Sequence, residues 1–338
     1  MRLLIVCQAV DSAHPNLGFF VRWIAEFAKH ADVVVIANEV GEHALPANVT
    51  VHSLGKERGV GRIGRYATFF SLITSLQYDE VFCHMNPEFV IAGSAWWLPM
   101  QKRVILWYVH GKVSLRLRFA LAFVHRAATV NAESLRIRSP KVVYLGHGID
   151  TEYYKPGYRL RHDEHSVLTV GRIAPSKRLE LVIEAVRTAT SLGVPIRASI
   201  IGGAGVSADS EYAERVRREA EAANIRYLGP QSTDFVRDAV SAADLFLNVS
   251  TTNSVDKAVL EAMAGGTVPI TTNPAFRAIL EPLGLFVADA TPEALAVKIE
   301  EVLQRPDFEE LRTQVREEVV KNHNLVHCVG SILATYGV

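Results

Sequence analysis

Along the whole chain, short runs of Val, Ile and Leu alternate with longer stretches in which apolar residues recur every three or four positions. The short runs predict buried strands of a parallel sheet, and the longer stretches predict amphipathic helices. In the first half the predicted strands are Arg2–Cys7, Val33–Ala37, Val49–Leu54, Glu80–His84 and Arg103–Val109. Between them, helices are predicted over Phe19–His30, Arg62–Gln77 and Lys112–Arg126. The pattern restarts after residue 160, with strands at Ser166–Gly171, Ile196–Gly202, Ile225–Leu228, Asp244–Asn248, Val268–Thr271 and Leu285–Val287. Its helices lie near Lys177–Leu192, Glu211–Ala223, Ser254–Ala264 and Pro292–Gln304.

Such alternation predicts an α/β protein whose parallel sheets are covered on both faces. Two series, separated by the polar, Gly- and Pro-containing stretch Gly146–Glu164, predict two doubly wound, Rossmann-like domains facing a cleft. The expected division is 1–150, 151–306 and a helical segment 307–338, for which packing back on the N-terminal domain is left open. Ligands in such sheets bind at the carboxyl ends of the strands, so the ends of these runs are where chemistry is sought.

Composition narrows the picture. A chain of 338 residues, 49% hydrophobic and 21% charged, has the core for two packed domains. Its net charge is zero but unevenly spread: residues 1–150 hold 16 Lys+Arg against 11 Asp+Glu, a net of +5. That excess is either scatter or a basic half facing phosphates or a membrane surface. Neutral overall charge and the lack of a recognition module argue against nucleic acid. Cys7, Cys83 and Cys328 are far apart, which suggests neither a disulfide framework nor a zinc site, and the dispersed His residues make a metal site unexpected. The opening MRLLIVCQAV reads as a strand rather than a signal peptide, and Phe89–Met100 is too short to span a bilayer. A cytoplasmic protein is expected, with peripheral contact at the inner face of the membrane left open.

Two stretches carry candidate chemistry. In VLTVGRIAPSKRLELVIEA, a buried strand ends at Gly171 and a short loop bears Arg172, Lys177 and Arg178 ahead of a helix. Arg offers phosphate a planar fork and Lys a point charge, so cations at a strand end suit a diphosphate; a solvated basic loop is the plainer reading. In NVSTTNSVDKAVLEAMAGG, Ser254 is the expected N-cap of a helix whose first-turn N–H groups suit an anion or sugar hydroxyls. Ser254 and Glu261 would share a face of that helix, and Lys257 and Glu261 stand at i, i+4, the spacing of a surface ion pair.

GRIAPSKR followed by LEAMAGGTVPI resembles the retaining GT-B glycosyltransferases of family 4, the glycosyl transferases group 1. VVYLGHGIDTEYYKPG, IIGGAG and RYLGPQSTDFVRDAVSAADLFLNVS extend the likeness, in order, over nearly all of 140–304. The N-terminal half is similar more loosely, through its first strand, the loop at Gly18 and WYVHG. The resemblance implies transfer of a sugar from a nucleotide diphosphate sugar to an acceptor hydroxyl, with retention, no covalent intermediate, no cofactor and no bound metal. It implies that Arg172 and Lys177 hold the diphosphate beside Gly171, that Glu261 binds the ribose, and that backbone amides near Ser254 and Val255 meet the sugar. It places the Gly18 loop at the phosphates, His110 close to the transferred sugar, and Tyr227–Gln231, with Gly229, beside the base. For His110 the alternative is a strand-end histidine bonded locally.

The chain departs from the family pattern where two glutamates usually stand: the first position is Asn253, followed by Asp256 and Lys257. Asn can hydrogen-bond a sugar hydroxyl but offers no carboxylate. A non-catalytic nucleotide-sugar-binding relative, or an epimerase or hydrolase on the same scaffold, are the rival readings. GxGxxG at Gly59, Gly61 and Gly64 lacks the acidic residue at the following strand's end that a dinucleotide site needs, and reads as a basic loop. Arg62, Arg65, Tyr66, Phe69 and Phe70, with Arg116, Arg118, Phe119, Phe123 and Arg126, mix basic and aromatic residues on two predicted helices. They suit either an anionic membrane carrying a lipid-linked or glycan acceptor, or core-facing aromatics with solvated arginines.

Overall fold

A computed structural model describes residues 1–14, 16–157, 163–205, 209–252 and 254–337. The apolar runs become strands buried on both faces: β1 (Arg2–Val10) has Leu3, Leu4, Ile5 and Val6 fully buried, and β4 (Glu80–His84) is buried throughout. With β2 (Asp32–Val40), β3 (Val49–Ser53), β5 (Val104–Trp107), β6 (Arg126–Thr129) and β7 (Val142–Tyr144) they form a seven-stranded sheet in the order β3-β2-β1-β4-β5-β6-β7. Every pairing in it is parallel. The crossovers include α1 (Phe19–Ala28), α2 (Arg62–Ser75), α3 (Pro87–Trp97) and α4 (Leu115–Phe123).

A second, five-stranded parallel sheet has the order β10-β9-β8-β11-β12. Its strands are β8 (His165–Val170), β9 (Ile196–Ile201), β10 (Arg226–Tyr227), β11 (Leu245–Asn248) and β12 (Val268–Thr271). Its helices are α5 (Leu179–Ser191), α6 (Ser210–Ala222), α7 (Thr233–Ala242), α8 (Lys257–Ala264), α9 (Arg277–Leu280) and α10 (Pro292–Leu303). The strand expected at Leu285–Val287 is reduced to a single bridge between Thr271 and Phe286.

By contacts the chain forms two units, Met1–Gly148 with Asn324–Val338, and Ile149–His323. The segment expected as one piece over 307–338 is therefore divided. Its first helix, α11 (Phe308–Asn322), packs against α8, and its second, α12 (Leu325–Ala334), packs against α1. Beyond α12, the buried Tyr336 donates its hydroxyl to the carbonyl of Val81 at 2.6 Å, tying the last turn to β4. Each sheet is doubly wound, and each has one place where the strand order reverses: between β1 and β4 in the first, between β8 and β11 in the second.

Candidate functional site

At the second unit's reversal point, the carboxyl ends of β8 and β11 diverge over a narrow open pocket lined by Thr169, Gly171, Arg172, Lys177, Asn248 and Val249, among others. Glycines set its floor. Gly202 has φ +146°, and a Cβ there would lie 1.8 Å from the Gly171 carbonyl oxygen, so only glycine lets the ends of β8 and β9 approach. From Gly171 a ladder steps outward: its N–H bonds Ile201 O at 3.0 Å, Gly202 N–H bonds Gly229 O at 2.9 Å, and Tyr227 Oη donates to Gly202 O at 3.3 Å. Gly171, Tyr227 and Gly229 thus share one carboxyl edge.

The three cations of the loop after β8 part company. Arg172 is exposed, its stem lying so close to Gly205 that a Cβ there would meet Arg172 Cδ at 2.0 Å. Lys177 ends a 3-10 turn (Pro175–Lys177), and its ammonium meets Asp256 Oδ1 at 2.9 Å. Arg178 turns away, donating to Ala290 O at 3.4 Å. It adopts a left-handed φ of +49° as the residue that precedes α5.

Asp256 is the centre of a small polar network. Its second oxygen accepts from Asn248 Nδ2 at 2.9 Å, Asn248 Oδ1 accepts from Thr271 Oγ1 at 3.2 Å, and Asn273 Nδ2 donates to Ser254 O at 2.9 Å. Helix α8 begins at Lys257, so Asp256, not the expected Ser254, is the N-cap residue. Ser254 instead donates its hydroxyl to Thr252 Oγ1 at 3.2 Å and lies ahead of the helix, so it shares no helical face with Glu261. The Asp256 carboxylate makes no capping bond, being engaged by Lys177 and Asn248. Val255 is buried, while Asn253 lies outside the described residues.

Lys257 and Glu261 do pair along α8, but not at the surface: Glu261 is 8% exposed. A carboxylate so placed depends on its cation, because an unpaired charge there would lack both water and partner. Among the described residues, no three His, Cys, Asp or Glu side chains converge as metal ligands would.

In the first unit, Gly18 leads into α1, and a Cβ there would lie 2.6 Å from Ser12 O and 3.0 Å from His14 O. The loop after β1 therefore closes on itself only with glycine at this position. His110 stands beyond β5, exposed, with its N–H bonded to Ser134 O at 2.8 Å and its Nδ1 accepting the Lys112 N–H at 2.9 Å. A neutral imidazole so bonded carries its proton on Nε2. At the end of β4, His84 is fully enclosed and stacked on Phe20 with centroids 4.0 Å apart, and this burial pushes its pKa down to about 3. Sequence reasoning assigned no role to His84, Asn248 or Thr271, and marked Asp256 only as a departure from the family pattern. The available signal was a polar residue closing an apolar strand, as in EVFCH, LFLN and VPIT.

With this geometry in place, comparison with known proteins finds that residues 164–305 match the family described as Glycosyl transferases group 1. Over that stretch the chain is similar to group 1 glycosyltransferases. A curated relative, the D-inositol 3-phosphate glycosyltransferase of Rhodococcus erythropolis, is 27% identical over 206 residues, 56% of this chain and 46% of the relative. The chain therefore spans about half the length of the curated relative it matches. Among solved structures, Anabaena HepE in complex with UDP-glucose is similar with a TM-score of 0.75 at 14% identity, covering 100% of this chain and 99% of that one. Sucrose-phosphate synthase from Thermosynechococcus elongatus gives 0.74 at 18% identity, covering 99% and 98%. At these identities the likeness is one of fold, and the fold is GT-B: two Rossmann-like domains with parallel sheets.

Proposed function

We propose that the chain transfers a sugar from a nucleotide diphosphate sugar to the hydroxyl of a glycan or lipid-linked acceptor, with retention at the anomeric carbon. The observation that carries this reading is the pocket at the carboxyl ends of β8 and β11, where Gly171, Arg172, Lys177 and Asn248 meet. The group 1 match over the same stretch supports it, as does the fold shared with a protein solved in complex with UDP-glucose.

As the bond from the sugar to the diphosphate breaks, negative charge gathers on the departing phosphate oxygens. Arg172 and Lys177 meet that charge, and the N-terminal end of α8 adds its positive dipole. Glu261 is assigned to the ribose hydroxyls, Tyr227 and Gly229 to the base, and the amides at Ser254 and Val255, with the Asn253 amide group, to the sugar. By resemblance His110 stands close to the transferred sugar, where its Nε2 is the nitrogen left to act, and the Gly18 loop meets the phosphates. A site in the cytoplasm suits three cysteines that are buried and free.

A second reading, donor binding without transfer, is favoured by the Lys177–Asp256 pair, which sets a carboxylate against the ammonium that the diphosphate needs. Incubation with UDP-, GDP- and ADP-sugars separates the two. Slow release of free sugar, with the donor's anomeric configuration seen by NMR at the earliest times, supports retaining transfer. Tight nucleotide binding with no release supports the second reading, and released sugar of inverted configuration refutes retention. Arg172→Ala and Lys177→Ala should each cut turnover by roughly a hundredfold while leaving the fold intact.

A further inference from the structure

Helices α2, α3 and α4 pack side by side on the first unit's sheet. Their inner faces carry Phe69, Ile73, Phe89, Trp97, Leu117 and Ala120, all buried. Their outer faces are unusual. Leu115 is 85% exposed, Phe119, one turn further along α4, is 56% exposed, and Ile63 on α2 is 88% exposed. Single exposed apolar side chains are ordinary; large ones at successive turns of a helix, flanked by cations, are not.

The charges on α2 and α4 themselves are of one sign, and Glu88 in the first turn of the intervening α3 is the one acid of that helix. No Asp or Glu occurs between Glu57 and Asp79 or between Glu88 and Glu133, spans that include all of α2 and α4. The side chains of Arg62, Arg65, Arg116 and Arg118 form no ion pair among the described residues, and Arg62 lies over the ring of Tyr66. Several arginines on helices of the second unit do pair along their own helix: Arg187 with Glu184, Arg217 with Glu214 and Glu221, and Arg277 with Glu281. The arginines of α2 and α4 are left for something anionic outside the chain.

We infer that the outer face of α2 and α4 docks on an anionic lipid bilayer, with Leu115, Phe119 and Ile63 entering the headgroup boundary and the arginines meeting lipid phosphates. A second copy of the same face is a poor occupant, since two arginine-only surfaces repel. Because a helix joining parallel strands starts at their carboxyl ends, Ile63 and Leu115, in the first turns of α2 and α4, sit at that edge of the sheet, as does His110 beyond β5. Docking would bring this edge to the lipid headgroups. The inference is independent of the sugar donor and stands or falls separately from it.

The test is co-sedimentation of the full chain with vesicles of phosphatidylcholine alone or mixed with phosphatidylglycerol. The protein should pellet with the anionic vesicles only and be released by salt. Leu115→Ser with Phe119→Ser, and separately Arg116→Glu with Arg118→Glu, should each weaken binding at least tenfold, on the order of 1.4 kcal/mol. Both pairs are exposed, so the melting temperature should not change. Failure to pellet with anionic vesicles would overturn the inference. So would binding that survives the Leu115/Phe119 change, which would mean adsorption by charge alone, or a dimer in gel filtration that the same change disperses.

Discussion

In the proposed diphosphate site, the Lys177–Asp256 pair is what an incoming anion would meet. Their 2.9 Å pair is one-fifth exposed or less on either side, so it is poorly screened and would have to loosen if a diphosphate bound as proposed. Replacing Asp256 with Asn keeps the amide-sized contact to Asn248 and removes the competing charge. Nucleotide affinity, measured by calorimetry, should then rise by about threefold to tenfold; weaker binding would show that Asp256 chiefly positions Lys177. Lys257 is the reverse case. Lys257→Met would strand the largely buried Glu261 carboxylate and should cost about 2 kcal/mol or more in urea unfolding. Gly202→Ala forces a Cβ into the Gly171 carbonyl and should cost at least about 2 kcal/mol by the same measurement. The Lys257–Glu261 pair was legible from its i, i+4 spacing, though not its burial, whereas the Lys177–Asp256 pair was not. Asp256 and Lys257 are adjacent in sequence, yet each finds its partner through a different element.

Among the elements, strands that are short, apolar and bounded by polar residues were read correctly, β4 to the residue. α3 was not, because Phe89–Met100 is apolar nearly all round and a buried helix of that kind has no periodicity to detect. β6 and the end of α4 were merged into one expected helix, Lys112–Arg126, since a four-residue strand of Arg, Ala and Thr carries no strand signal. α7 was overlooked although Ser232 caps it, accepting from Phe235 N–H at 3.2 Å. The late start of α8 has a physical cause: the candidate cap Ser254 bonds within its own loop, and Asp256 is drawn to Lys177. At the end of β4, burial favours neutral His84, so the folded state holds fewer protons than the unfolded state below the ordinary His pKa. Stability from this group is therefore whole above about pH 6.5 and is lost as pH falls toward 3, by on the order of a few kcal/mol. His84→Phe should flatten that part of a melting-temperature profile against pH; an unchanged slope would mean that other groups set it.

At the scale of the molecule, two doubly wound sheets put one strand-order reversal in each unit, and Gly171, Arg172 and Lys177 line the pocket at the second, while Tyr227 and Gly229 lie at the edge strand β10 and His110 beyond β5. The order of strands and helices was legible because parallel sheets impose it on the hydrophobic pattern. The division of the last two helices between the units was not, since both are amphipathic and neither says which face of which unit it covers. Arg172 and Lys177, at the second unit's reversal point, are proposed to form a diphosphate site. Calorimetric titration of UDP, GDP and ADP into the unaltered chain, Arg172→Ala and Lys177→Ala tests it most directly. One nucleotide should bind the unaltered chain and bind each variant at least tenfold more weakly, a loss of about 1.4 kcal/mol or more. Equal affinity in all three proteins, or no binding of any nucleotide, would contradict the account.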